Sequence, residues 1–118
     1  MKIPVLPFYN VLAELLYALI TGGECIGQER LEVSAAPVSL SPPAGALYAL
    51  ILCEADPTLP DKSKVLRYGL FSAPDALQGF PLGELGVTEI RGEKNLAGFR
   101  ALSISPLHTH VLQIFYFA

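Results

Sequence analysis

The apolar positions of this chain change period once. Over residues 11–20 they are almost continuous: Val11, Leu12, Ala13, Leu15, Leu16, Tyr17, Ala18, Leu19 and Ile20, with Glu14 the only charge. Asn10 is an N-cap residue type and Gly22-Gly23 a stop signal, so the pattern predicts a helix over 10–21. A helix apolar nearly all round is buried on more than one side. It packs on the sheet of its own subunit or slots into a partner. After a Gly-rich connector, residues 22–27, the period falls to two. Leu31 and Val33 alternate with Glu32 and Ser34, which predicts a half-buried strand.

Residues 46–54 form a nearly unbroken apolar run of strand length, expected to be covered on both faces. Asp56-Pro57 and Pro60-Asp61 make 55–63 a loop, and 65–71 is a further strand carrying Arg67. Residues 72–86, with two prolines and three glycines, read as a long irregular connection. A short strand over 87–91 closes at Gly92 and the polar turn Glu93-Lys94-Asn95. Strands over 99–104 and 111–117 are expected to pair across the 105–110 loop. The last of these, Val-Leu-Gln-Ile-Phe-Tyr-Phe, is too apolar to stand as a free edge, so it belongs inside a sheet or against another subunit. Six short strands at such spacing predict a mainly β chain. The expected fold is an antiparallel β-sandwich or jelly-roll-like domain of about six strands or more with one N-terminal α-helix. The chain reads as one domain, 1–118, with 1–30 as helix and connector and 31–118 as the sandwich.

Composition adds a second expectation. Of 118 residues, 52% are apolar and only 16% charged, against about a quarter charged in ordinary soluble domains. Mean hydropathy is +0.45. The excess apolar surface is expected to be buried between subunits, so a homo-oligomer is the default. Net charge is −3, and the eight Lys and Arg are scattered. A nucleic-acid surface needs a basic stripe that this chain lacks, so no nucleic-acid partner is expected. Lys2 is the only early cation, Pro4 and Pro7 interrupt the start, and 11–20 falls short of the roughly 20 residues that span a bilayer. We therefore expect neither a targeting segment nor a membrane partner. Ten prolines, two Asn and three Gln fit a thermophilic source.

Candidate chemistry is sparse. His108-Thr109-His110 would put two imidazoles on one face if the last strand began early, but no further His or nearby carboxylate completes a ligand set. A solvent-exposed pair is expected instead. Asp56, Asp61, Glu84, Glu89 and Glu93 lack the spacing of a calcium loop and read as solvated charges. Arg67, Arg91 and Arg100 are expected to pair with carboxylates such as Glu54 and Glu89, or to reach backbone carbonyls. Cys53 reads as a small buried hydrophobe and Cys25 as a loop residue, with a disulfide between them left open. Neither a nucleophile elbow nor a phosphate-cradling glycine motif occurs. No catalytic, cofactor or metal residue is assigned.

From residue 43 onward the order of short motifs resembles small β-rich virion structural proteins of tailed phages and prophages. The matching residues are Ala46-Leu-Tyr-Ala-Leu-Ile51 with Glu54, Arg67-Tyr68, Ala73-Pro74 and Gly79-Phe80-Pro81-Leu82. Glu89-Ile90-Arg91-Gly92, Asn95-Leu96, Phe99-Arg100-Ala101-Leu102 and the run from Val111 to Tyr116 complete the series. The resemblance implies a non-enzymatic virion subunit, a capsid decoration or tail-associated protein made in the host cytoplasm. Its implied partners are itself and other virion proteins such as major capsid or tail subunits. Leu12, Leu16, Leu19, Phe115 and Phe117 are the expected assembly contacts. The alternative is a β-sandwich module binding carbohydrate or a small ligand, for which Tyr48, Tyr68 and Phe80 could form an aromatic platform. A metal-dependent enzyme built on His108 and His110 is the third reading.

Overall fold

The structure, a computed structural model, describes residues 23–118. The helix expected over 10–21 lies outside the described residues, with Leu12, Leu16 and Leu19. Eight strands are described: β1 (Cys25–Val33), β2 (Val38–Ser39), β3 (Tyr48–Glu54), β4 (Leu66–Gly69), β5 (Phe80–Leu82), β6 (Val87–Arg91), β7 (Arg100–Ser103) and β8 (His110–Phe117). A six-residue helix, α1 (Glu93–Gly98), joins β6 to β7. The strands form two four-stranded antiparallel sheets, in the orders β1-β8-β3-β6 and β2-β7-β4-β5. The described chain is thus mainly β.

Alternation decides what each strand gives to the core. In β3, Ala49, Ile51 and Cys53 are fully buried; in β8, His110, Leu112, Ile114 and Tyr116 take the same side. The second sheet contributes Leu66, Tyr68, Leu82 and Ala101 to one cluster shared by both sheets. Leu96 of α1 and Phe99 just after it fill the same cluster. The hydroxyl of Tyr68 lies 2.8 Å from Thr88 Oγ1, linking β4 of one sheet to β6 of the other.

Two expectations hold well. Residues in 46–54 are indeed covered on both faces, since Tyr48 and Leu50, which point away from the core, are buried as well. The C-terminal run is also enclosed, β8 lying between β1 and β3. Others need correction. β7 and β8 do not pair: β7 lies between β2 and β4, and β8 belongs to the other sheet. The 105–110 loop crosses between layers because β8, apolar on both sides, is satisfied only at the centre of a sheet. β2 and β5, two and three residues long, were too short to show a period. Residues 25–30 are strand, not connector, so Cys25 begins β1. The polar turn at 93–95 is the first part of α1, which starts after Gly92 at φ 101°.

Candidate functional site

Three places gather unusual side chains. The first is the end of the core near His110. β8 begins at this residue, so the period-2 pattern does not reach back to His108. His110 is fully buried, not exposed. Its Nδ1 accepts the Asp56 backbone N–H at 2.9 Å, which puts the neutral ring's proton on Nε2. Nε2 is buried with no hydrogen-bond partner. Burial holds the imidazole below its ordinary value, against the opposing pull of the Asp56 and Glu84 carboxylates. His108 turns elsewhere, its Nδ1 2.8 Å from Ser105 Oγ. Cys53 is buried and its thiol is pushed up to about 12 by burial and by Glu84 and Glu54, far from a reactive thiolate. Both cysteines are free, Cys25 exposed and Cys53 buried. Among the described residues, no group of three or more His, Cys, Asp or Glu is placed to hold a metal ion.

The carboxylates act locally. Asp56 accepts from the N–H and hydroxyl of Thr58, and Asp61 from those of Ser63; these bonds hold both acids below their usual range. Glu84 accepts the Ala55 N–H. Of the arginines, only Arg91 takes an expected carboxylate, binding Glu89 through Nε at 2.9 Å and Nη2 at 3.0 Å. Arg100 donates to the carbonyls of Ala97 and Phe99. Glu54 instead accepts from Gln113.

The second place is a pairing that the sequence reading missed. Glu29 lies on the same side of β1 as Leu31 and Val33. Its Oε2 accepts from the Tyr116 hydroxyl and, at 2.9 Å, from the Ser41 N–H. Tyr116 is almost wholly buried, and its phenol is raised by that burial and by Glu29. The carboxylate thus fastens β1, β8 and the loop after β2 at one point. Tyr116→Phe should cost about 1.5–3 kcal/mol, the range for a hydrogen bond to a charged group. Urea denaturation at pH 7 checks this; an unchanged midpoint would mean the contact contributes nothing net.

The third place is the β4–β5 hairpin. Arg67 spans its base, donating from Nε to the Ala76 carbonyl at 3.2 Å and from Nη1 to Gly79 at 2.9 Å. Asp75 Oδ1 accepts from the N–H groups of Leu77 and Gln78 at 2.8 and 2.7 Å. Gly79 takes φ 125°, and a Cβ there would lie 2.9 Å from the Tyr68 carbonyl oxygen, so only glycine closes the turn without strain. Tyr68 stacks on Phe80 with ring centroids 5.3 Å apart. This braced loop nonetheless carries Phe71 and Leu77 almost fully in solvent, and Phe80 more than half exposed. Tyr48 and Tyr68, by contrast, are buried and present no platform.

Of the expected contact residues in the described part, Phe117 is buried and stacks on Tyr48 with centroids 5.0 Å apart, while Phe115 keeps partial exposure on the same face.

No protein family, curated protein or solved structure matches the chain.

Among the described residues, no helix is long and apolar enough to cross a membrane. The exposed hairpin residues were legible as apolar, but the connection they sit in reads as irregular, so their display could not be foreseen. Glu29 could have been found. A carboxylate at i−2 and i−4 from two inward residues shares their face and needs a partner there.

Proposed function

We propose that the chain is a non-enzymatic structural subunit of a tailed-phage particle, a capsid decoration or tail-associated protein, folded as a jelly-roll β-sandwich. The strand pairing carries this reading. β1 pairs with β8, β2 with β7, β3 with β6 and β4 with β5. This nested pairing supports one long hairpin rolled into two sheets, as in jelly rolls, which are frequent in viral capsid domains. The order of motifs from residue 43 onward supports the same reading. The braced hairpin gives the subunit a surface to assemble with. Apolar side chains held out by an already ordered loop lose little entropy on contact, and such patches commonly mark protein–protein contacts.

Peptide mass spectrometry on gradient-purified particles from the source culture tests the proposal. Many copies per particle are expected; absence from particles, with the protein soluble in the lysate, would overturn it. Phe71→Ser with Leu77→Ser should leave stability within about 0.5 kcal/mol, because neither side chain is buried. The same double variant should lower incorporation into particles by about tenfold, equivalent to roughly 1.4 kcal/mol. Normal incorporation would remove the hairpin from the assembly surface.

Jelly rolls also serve as lectin domains, and the exposed Phe71 and Phe80 on one hairpin are the feature a sugar would stack on. Glycan screening separates this second reading, in which the hairpin variant would lose glycan binding instead of incorporation.

A further inference from the structure

We propose that two copies of the chain join edge to edge through β1, antiparallel about a two-fold axis at Leu31, with Arg30 of each copy opposite Glu32 of the other. The strands at the sides of the sheets are β1 and β6 in one, β2 and β5 in the other. β2 and β5 run only two and three residues, and β5 carries Pro81, so neither offers a useful row of backbone groups. β1 runs nine residues with no proline. Its one irregularity, between Cys25 and Gly27, leaves the rest of its register with β8 unbroken. The direction of its backbone groups follows from the end of the ladder. Glu24 and Ala118 exchange backbone hydrogen bonds at 3.3 and 3.0 Å, whereas the Phe117 carbonyl turns the other way and accepts the Leu47 N–H at 2.8 Å. Ile114 and Leu112 therefore aim their backbone groups at β1, and their partners Glu29 and Leu31 aim theirs back. Gln28, Arg30 and Glu32 must then point their N–H and C=O groups out of the sheet edge. Among the described residues, nothing pairs with that row. The side chains of Arg30 and Glu32 also stand in water, at 57% and 66% exposure.

Charge makes the strand complementary to itself. Antiparallel pairing of two β1 strands has to set open residues against open residues, which leaves few registers. With Arg30 on the axis, the two Arg30 side chains would face each other, and like charges directly opposite destabilise a pair. With Glu29 on the axis, Arg30 would face Gln28, and Glu32 would fall on the irregular stretch at Ile26. With Leu31 on the axis, Arg30 faces Glu32 and Glu32 faces Arg30, so an opposite-charge pair forms on each side by symmetry. In the single subunit Arg30 Nη1 lies 3.8 Å from Glu32 Oε1, an exposed contact worth little in water; docking gives both charges a second partner. Leu31, partly buried against the core, meets Leu31 of the second copy at a non-hydrogen-bonded position, where side chains come closest. Glu29 is held on the inner side by Tyr116 and the Ser41 N–H, which keeps its charge off the contact. The Ser34 carbonyl is already taken by the Ser103 N–H at 2.8 Å, so the open row ends at Glu32. Self-complementary charge in a register the backbone allows favours a second copy over an unrelated strand. The pairing is independent of the virion reading, since it needs no particle.

Analytical ultracentrifugation of the full chain tests the pairing with Arg30→Glu, Glu32→Arg and the double exchange. Both positions are solvent-exposed, so the variants should fold as the parent does. Each single change sets like charges opposite on both sides of the axis and should raise the dimer Kd about tenfold. The double exchange restores opposite charges and should return Kd to within about threefold of the parent. A parent chain still monomeric at about 1 mM, single variants with the parent's Kd, or a double exchange as weak as the singles would each overturn the proposal. Amide hydrogen exchange, read residue by residue by NMR, separates this edge from any other dimer contact. From dilute to concentrated protein, the N–H groups of Arg30 and Glu32 should gain about tenfold in protection, while those of Glu29 and Leu31, already bonded to β8, should change little. A dimer in which the Arg30 and Glu32 N–H groups stay unprotected would place the contact elsewhere and overturn the proposal.

Discussion

Phe99→Ala should lower stability by about 3–5 kcal/mol, a large part of the roughly 5–15 kcal/mol that holds a small domain together. Phe99 is fully buried, in the position where the chain leaves α1 and enters β7. Its ring stacks on Tyr68 with centroids 5.3 Å apart and an interplanar angle of 21°. Tyr68 in turn stacks on Phe80 and reaches Thr88 across the layers. Removing the ring therefore opens a cavity under the residue that couples the two sheets and supports the base of the β4–β5 hairpin. The cavity cannot close easily, because both neighbours of Tyr68 are fixed by strand pairing. Guanidinium denaturation of the variant checks this, with a shift below about 1 kcal/mol showing that the site collapses around the lost ring. Phe80→Ala, at the exposed end of the same stack, should cost markedly less.

The sequence made β3 and β8 legible for a simple reason. Both are long enough to show their period, and both are apolar on two faces, which only a central strand tolerates. The same reasoning fails where an element is shorter than its own signal. β2 has two residues, β5 three, and α1 makes less than two turns. Pairing is a further step removed. β7 and β8 are neighbours in sequence, and a local hairpin is the economical guess. The two-sheet arrangement places them in different sheets, since β8 must lie between β1 and β3 to bury both its sides. The candidate sites follow the same divide. Glu29 was within reach through its position two and four residues before Leu31 and Val33. The display of Phe71 and Leu77 was not, because it depends on Arg67 and Asp75 bracing a loop with no period of its own.

Acid should weaken this fold in two separate steps, and the first belongs to His110. In the folded chain Nδ1 accepts the Asp56 N–H. Protonation would set a ring N–H against a backbone N–H, breaking that bond and leaving a charge in the core. The folded state therefore favours the neutral ring, and burial is the leading cause of its lowered value. An unfolded histidine takes up its proton near pH 6.5, so between that pH and the lower folded value the unfolded chain binds more protons. Stability then rises with pH across this window. It is full above about pH 6.5, is lost as pH falls, and levels off below the folded value. The second step comes lower, as pH falls below about 3.8, where Asp56 and Asp61, both held down by their turn hydrogen bonds, lose that stabilisation on protonation. His110→Asn separates the two. Its side-chain oxygen can still accept the Asp56 N–H, but it carries no titrating group, at a cost of about 0.5–3 kcal/mol at neutral pH for the altered packing. Denaturant midpoints measured from pH 7.5 down to 3 should fall in two stages for the parent chain. The upper stage should be missing from the variant while the lower one persists. An upper stage of equal size in both would show that His110 is not the titrating group and would overturn the prediction.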